Sequence, residues 1–274
     1  MSWLTPEFVP DPDCLPSGLQ FGDGLFETLA VRDGRCVLWK RHWQRLLKGC
    51  ECLGFFPLPD EAALLQWLAG EVSCLNGILK LMMVRHAPVR GYAYAPDWRM
   101  QVTFKPGAIS IPDSVDVWTL DYCISGPALG GIKHMNRLDQ VLANRMLGGQ
   151  AWEGWVKSPA GGWVDGIRTN FLILDASGRI HLPDAGPYGV NGVMRDALLS
   201  WLSEQGVSVY NAPVSATTIS GAQSAAVMNA IYGLLPVHRL NDRPLNTETM
   251  TDWRNLFNAW IRKESQALNQ QISG

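Results

Sequence analysis

Apolar residues recur along this chain with two different periods, and the switches between them mark out its elements. Phe26 to Val31 and Cys36 to Trp39 flank Arg32-Asp33-Gly34-Arg35. Asp-Gly supplies the positive φ angles of a tight turn, so this stretch predicts a β-hairpin. A helical period follows over about 41–53. A second covers about 60–75, with Asp60 as its N-cap and Asn76-Gly77 as its stop. Continuous apolar runs at 78–84, 100–104 and 115–120 predict strands.

Between the last two runs, Lys105-Pro106-Gly107-Ala108-Ile109-Ser110-Ile111-Pro112 carries two prolines and a glycine with no period, as a connection between domains does. The boundary is placed there, which gives an N-terminal α/β domain over 1–107 and a C-terminal domain over 108–274. In the second part the pattern predicts a helix over 136–147, a strand over 155–157, a Gly161-Gly162 turn and a strand over 170–174. A Ser177-Gly178 turn then leads to a strand over 180–182. A helix from near Gly192 to Gly206, strands over 207–210 and 225–230, and a terminal helix from Thr247 to about Leu268 complete the reading. Strands outnumber crossover helices, so the expected class is α+β rather than a doubly wound sheet. Trp39, Trp43, Trp67, Trp201 and Trp260 fall on or beside core-forming elements, which makes packing their expected role.

Composition narrows the partners. The 274 residues are 47% hydrophobic and 18% charged, with a net charge of -2, as in an ordinary globular protein able to bury a substantial core. There is no basic tract and no basic amphipathic helix, so nucleic acid and membrane surfaces are not expected partners and small molecules are. Met1-Ser2-Trp3-Leu4 opens no signal peptide, and no window approaches the ~18 apolar residues that span a bilayer, so a cytoplasmic location is expected. Cysteines at 14, 36, 50, 52, 74 and 123 form no Cys-x-x-Cys pair, and none of the histidines form His-x-x-x-His. Reduced thiols and no metal centre follow.

The candidate chemistry begins at Gly131-Ile132-Lys133-His134-Met135-Asn136-Arg137-Leu138, which sets a lysine on a loop before a helix, after the small residues Ala128-Leu129-Gly130-Gly131. A nucleophilic lysine must become a neutral amine, which burial and a neighbouring cation encourage. Upstream lie Phe21-Gly22-Asp23-Gly24-Leu25-Phe26-Glu27-Thr28 and His42-Trp43-Gln44-Arg45-Leu46. Downstream lie Val164-Asp165-Gly166-Ile167-Arg168-Thr169-Asn170-Phe171 and Val190-Asn191-Gly192-Val193-Met194-Arg195. In this order the segments, from about Gly22 to Val237, resemble the fold type IV family of pyridoxal-phosphate enzymes, and within it the lyases that act on aminodeoxychorismate.

The resemblance implies a two-domain α+β fold with pyridoxal 5'-phosphate at the domain interface, and a homodimer. Lys133 then carries the cofactor and is the catalytic base. Arg45 and the backbone N–H groups of Gly192, Val193 and Met194, at a helix start, take the phosphate. Asn229 and Ala230 add to the same cup, Ala230 through its main chain alone. Asp165 pairs with the pyridine nitrogen and keeps it protonated. The family usually has glutamate there, five positions before the asparagine. Aspartate is one methylene, roughly 1.5 Å, shorter, so either the loop sits closer or a water intervenes. Arg85, Arg90, Tyr92 and Arg137 are the expected contacts for substrate carboxylates, and Trp163 is expected near the cofactor. The implied reaction converts 4-amino-4-deoxychorismate to 4-aminobenzoate and pyruvate. The alternatives are an aminotransferase of D-amino or branched-chain amino acids on the same scaffold, and a non-catalytic homologue that binds the cofactor.

Overall fold

Two sheets carry the fold, seen in a computed structural model whose described residues are 17–71, 76–86, 92–94, 96–125, 129–186 and 188–267. The first part runs α1 (Ser17–Phe21), β1 (Gly24–Arg32), β2 (Arg35–Cys36), α2 (Trp39–Leu53), α3 (Glu61–Glu71), β3 (Gly77–Arg85) and β4 (Trp98–Pro106). β1 pairs antiparallel with β3 from Gly24↔Val84 to Val31↔Gly77. The hairpin turns at Asp33 and Gly34, with φ of 50° and 71°. Its second strand is shorter than the apolar run suggested, because Leu38 takes a left-handed conformation and starts the helix at Trp39. On α2 the buried residues are Trp39, His42, Trp43, Leu46, Gly49 and Cys50, one stripe at helical spacing that packs on Leu25, Leu29 and Val31.

The second part runs β5 (Val115–Cys123), α4 (Leu138–Leu147), β6 (Glu153–Lys157), β7 (Trp163–Gly166), β8 (Asn170–Asp175), β9 (Ile180–His181), α5 (Val193–Glu204), β10 (Val209–Tyr210), α6 (Ala216–Ser220), β11 (Ala222–Asn229), β12 (Gly233–Leu240), β13 (Arg243–Pro244) and α7 (Glu248–Glu264). The strand order is β10-β9-β8-β11-β12-β5-β6-β7, with β13 on the edge of β12. The architecture is α+β. Both faces of β8 and β11 are covered. Leu198, Trp201 and Phe257 from α5 and α7 lie on one side, and Trp155, Val227 and Leu235 gather on the other with Phe171. Trp155 stacks on Phe171 with ring centres 4.0 Å apart.

Further local readings change. β7 and β12 were not expected: β7 is only a few residues beyond a Gly-Gly turn, and Pro236, His238 and Arg239 interrupt the apolar run of β12. The terminal helix stops at Glu264, where Ser265 turns extended (ψ 137°), and Gln266–Ala267 (β14) returns to pair with β2 in the first sheet. Trp67, expected in the core, is 48% exposed, whereas Trp39, Trp43 and Trp201 are buried. Residues 72–75, the predicted end of the second helix, lie outside the described residues.

β5 and β6 are parallel, so the chain must cross over between them, and α4 makes the crossing. The connection from β5 to α4 contains residues 131–135, which join neither sheet as a strand but bond to both parts. Phe26 N–H donates to Lys133 O at 2.9 Å, Met135 N–H to Gly24 O at 2.9 Å, and Gly131 N–H to Gly189 O at 2.9 Å. Cys36 and Cys50 are buried and Cys52 and Cys123 exposed, all four as free thiols. Cys14 and Cys74 lie outside the described residues. No helix among those described is long and apolar enough to cross a membrane.

Phe257 is fully buried and links α7 to Trp201 of α5. Phe257→Ala is therefore expected to cost about 3–5 kcal/mol of stability, read as a fall in the urea midpoint at unchanged m-value.

Candidate active site

The strand period of two splits β1 into two chemistries. Leu25, Glu27, Leu29 and Val31 face α2, while Phe26 and Thr28 face a cavity of about 330 Å³. The cavity lies between the two sheets. Its other walls are residues Lys133 and Arg137, the stretch Asp165–Asn170, the start of α5, and Met228–Ala230 at the end of β11.

Lys133 Nζ sits 4.5 Å from the centre of the Phe26 ring. Burial, then Arg45, and to a lesser degree Arg137, push its amine down to about 7, against the opposite pull of Glu27 and Asp165. A large fraction is thus a neutral nucleophile at neutral pH. Arg137 Nε donates to His134 O at 2.8 Å, which turns its guanidinium along the cavity wall.

Asp165 is buried at the end of β7. It accepts from Asn170 Nδ2 at 2.8 Å, Gly166 N–H at 3.0 Å and Val190 N–H at 3.1 Å. Burial still outweighs these donors and pushes its carboxyl up to about 7. The loop before α5 packs closely on this carboxylate: a Cβ on Gly189 would collide with Asp165 Oδ2. The turn that follows is held by buried Glu153, which accepts from Thr169 Oγ1 at 2.7 Å and from the N–H groups of Ile167 and Arg168, each at 3.1 Å.

At the other end, Gly192 caps α5 and Val193 and Met194 form its first turn. N–H groups in a first turn have no intrahelical acceptor, and these residues line the cavity. A Cβ on Gly192 would collide with Asn170 Oδ1, so this cradle requires glycine. Arg45 reaches the same end from α2, donating through Nη1 to Asn191 O at 3.0 Å and through Nε and Nη2 to Glu27 at 2.8 and 2.6 Å. Asn229 and Ala230 complete the wall. The Asn229 Oδ1 is committed to the N–H groups of Ile231 and Tyr232 at 3.0 and 2.9 Å.

The structure thus brings together Lys133, Arg45, Asp165, Gly192, Val193, Met194, Asn229, Ala230 and Arg137. Arg85 is not among the cavity residues. β3 extends through it, and the strand alternation turns it toward α2, where it donates to Leu53 O at 2.6 Å, Gly54 O at 3.2 Å and Asp23 Oδ2 at 3.2 Å. Its guanidinium lies over the rings of Phe55 and Tyr94, so it fastens the end of α2. Tyr92 is 91% exposed and meets Phe21 rather than the cavity. Arg90 lies outside the described residues. Trp163 also faces elsewhere, with Nε1 on Leu120 O at 3.2 Å and Lys157 over its ring. Glu27, His42, Asn170 and Gln140 were not foreseen as site residues. Glu27 had a signal: it interrupts the apolar stripe Leu25, Leu29, Val31.

A sequence profile of the amino-transferase class IV family matches residues 24–240. The chain belongs to this family. A solved member, the 4-amino-4-deoxychorismate lyase from Pseudomonas aeruginosa, is 32% identical and superposes with a TM-score of 0.79, covering 93% of this chain and 96% of that one. The aminodeoxychorismate lyase of Vibrio harveyi is 27% identical over 228 residues, 80% of this chain and 83% of that protein. A branched-chain aminotransferase from Thermoproteus uzoniensis, at 13% identity, shares the fold with a TM-score of 0.83 over 92% of each chain.

The two shifted groups set opposite pH dependences. Between about 7 and its ordinary 10.5, Lys133 holds a proton only when unfolded, so stability rises with pH there. Between its ordinary 3.8 and about 7, Asp165 holds a proton only when folded, so stability falls as pH rises toward 7. With no small molecule on Lys133, the unfolding free energy from urea titration is expected to rise from pH 7 to 9, by at most about 1.4 kcal/mol per pH unit. Lys133→Met should flatten that limb. A wild-type profile already flat from 7 to 9 would show that the folded protein keeps the amine charged.

Proposed function

We propose that this chain is a pyridoxal-phosphate-dependent lyase that converts 4-amino-4-deoxychorismate to 4-aminobenzoate and pyruvate, a step toward folate. The observation that carries the reading is the Lys133 amine, brought near neutrality inside a cavity with a buried acid at one end and an anion cup at the other. The residues present fit the cofactor. The glycine cradle at Gly192 is shaped by Asn170, the first-turn N–H groups of α5 and the Arg45 guanidinium suit a phosphate, and Asp165 suits a ring nitrogen. Lys133 would hold the cofactor at its aldehyde carbon, Arg45 with Val193 and Met194 at its phosphate, and Asp165 at its pyridine nitrogen. Asn229 and the main chain of Ala230 border the same phosphate end.

When bound, the cofactor supplies an electron sink conjugated with the carbon that bears the substrate amine. Lys133 Nζ would take the proton from that carbon and return one to the methylene carbon of the enolpyruvyl group, as its C–O bond to the ring breaks and it leaves as pyruvate. A pKa near the working pH suits both transfers. Arg137, with Nε and Nη2 turned to the carbonyls of His134 and Ile132, presents its charge to a substrate carboxylate. The cavity walls fix the amine-bearing carbon against Nζ, which is the protein's main contribution to rate.

An aminotransferase would share Lys133, Arg45 and the anion cup and differ in the substrate pocket, so one assay separates the two. The protein is expected to form pyruvate and 4-aminobenzoate from aminodeoxychorismate with no keto acid added. Lys133→Ala should lower the rate by at least ~10³-fold. Amino-group exchange between amino and keto acids, without 4-aminobenzoate, would overturn the lyase reading. Cofactor retention with no turnover of any of these substrates would favour the non-catalytic homologue.

The division near residue 107, between the strands of the two sheets, is the proposed domain boundary. The proposed assembly is a homodimer in the cytoplasm. Supporting the dimer, Leu138, Val141, Leu142 and Met146 are 66%, 44%, 39% and 52% exposed. They form one apolar face of α4 at i, i+3, i+4 and i+8, next to the cavity-lining Arg137 and Gln140. A second copy packed there would close the cavity mouth. Light scattering should report a dimer for the wild type and a monomer for L138E/L142E. A wild-type monomer would exclude this assembly.

A further inference from the structure

An ionised carboxylate stands in the middle of an apolar layer. Glu27 lies between Leu25 and Leu29 on the face of β1 that packs on α2, and is 1% exposed. Burial alone pushes its carboxyl up, but Arg45 and His42 overcome this and hold it down to about 2. Its oxygens accept from Arg45 Nε at 2.8 Å, Arg45 Nη2 at 2.6 Å and His42 Nδ1 at 2.6 Å. Burial pushes His42 below its ordinary value. The ring can therefore donate through Nδ1 as a neutral group, without competing with Arg45 for the charge.

The geometry assigns the guanidinium its free edge. Arginine has five N–H donors in a rigid plane. Glu27 takes two and Asn191 O takes a third, from Nη1 at 3.0 Å. Among the described residues two N–H groups remain, one on each Nη, and Arg45 lines the cavity. An arginine tethered only at Asn191 O would keep most of its rotamer freedom. The bidentate clamp removes it and fixes the plane.

We propose that Glu27 is the positioning residue of the anion cup: it aims the two uncommitted N–H groups of Arg45 at the cofactor phosphate, and so sets the preference for phosphorylated over unphosphorylated cofactor. This rests on the pyridoxal-phosphate reading above. Two effects compete when the charge is removed. Losing the clamp frees Arg45 and weakens phosphate binding, while losing a nearby negative charge strengthens it. Arg45 has the larger claim, because hydrogen bonds to phosphate demand orientation and a freed guanidinium supplies only a point charge.

The test titrates cofactor-free protein with pyridoxal 5'-phosphate and with pyridoxal, following absorbance, and compares the ratio of dissociation constants. Wild type is expected to prefer the phosphorylated form. Glu27→Gln should cut that preference at least tenfold; the effect of the lost charge on the Lys133 amine falls on both compounds alike and cancels in the ratio. In an Arg45→Met background, Glu27→Gln should change the ratio no further. Glu27→Asp keeps the charge but shortens the clamp, and should cut the preference at least threefold. It serves as the readout if Glu27→Gln does not fold by circular dichroism. An unchanged or greater preference in the folded variant overturns the positioning role alone. A wild type that binds both compounds equally overturns the cofactor reading and this proposal with it.

Discussion

The site depends on how residues 131–135 are stitched between the two parts of the molecule. This segment is neither helix nor strand, yet it runs through the interior, where unpaired peptide groups are costly. β1 takes its polar groups on one side, through Phe26 and Gly24, and the loop at Gly189 and Asn191 takes them on the other. Held by these bonds, the segment carries Lys133 into a cavity, and burial does the rest. An amine that would be charged in water becomes one that gives up its proton near pH 7.

Charge balance follows from the same burial. Lys133, Arg45 and Arg137 lie around the cavity with Asp165, and Glu27 stands just behind. Glu27 is matched to Arg45 by direct contact and stays ionised. Asp165 has hydrogen-bond donors but, among the described residues, no cation within ion-pair distance, and its proton is held to about 7. The two carboxylates thus diverge, one as a fixed counter-charge and one as a group whose protonation answers to what occupies the cavity. That division comes from placement rather than residue type.

The scaffold is shared by lyases and aminotransferases, so the fold does not choose between them. Chemistry on this framework is set by a few side chains at the cavity. The apolar face of α4 is next along the chain from Lys133 and lies beside the cavity mouth. Its exposed row of Leu138, Val141, Leu142 and Met146 is costly in water.

Much of this was legible from sequence, because the deciding patterns are local. Periodicity located most of the helices and strands. Asp33-Gly34 announced its turn, and the lysine, the α5 start and Asp165 stood in motifs at readable spacings. Short β7 and the proline-bearing β12 gave no local signal, and β14 forms only because the far end of the chain meets the edge of β2. The fate of charged side chains was equally nonlocal. Arg85 reads as a free arginine after a strand until Leu53 and Gly54 supply the carbonyls that hold it. Glu27 reads as a flaw in an apolar stripe until α2 folds over and delivers His42 and Arg45. Residue order determined which groups this protein has and which face of an element each occupies; only three-dimensional packing decided their partners, because a buried charge is defined by what surrounds it in space.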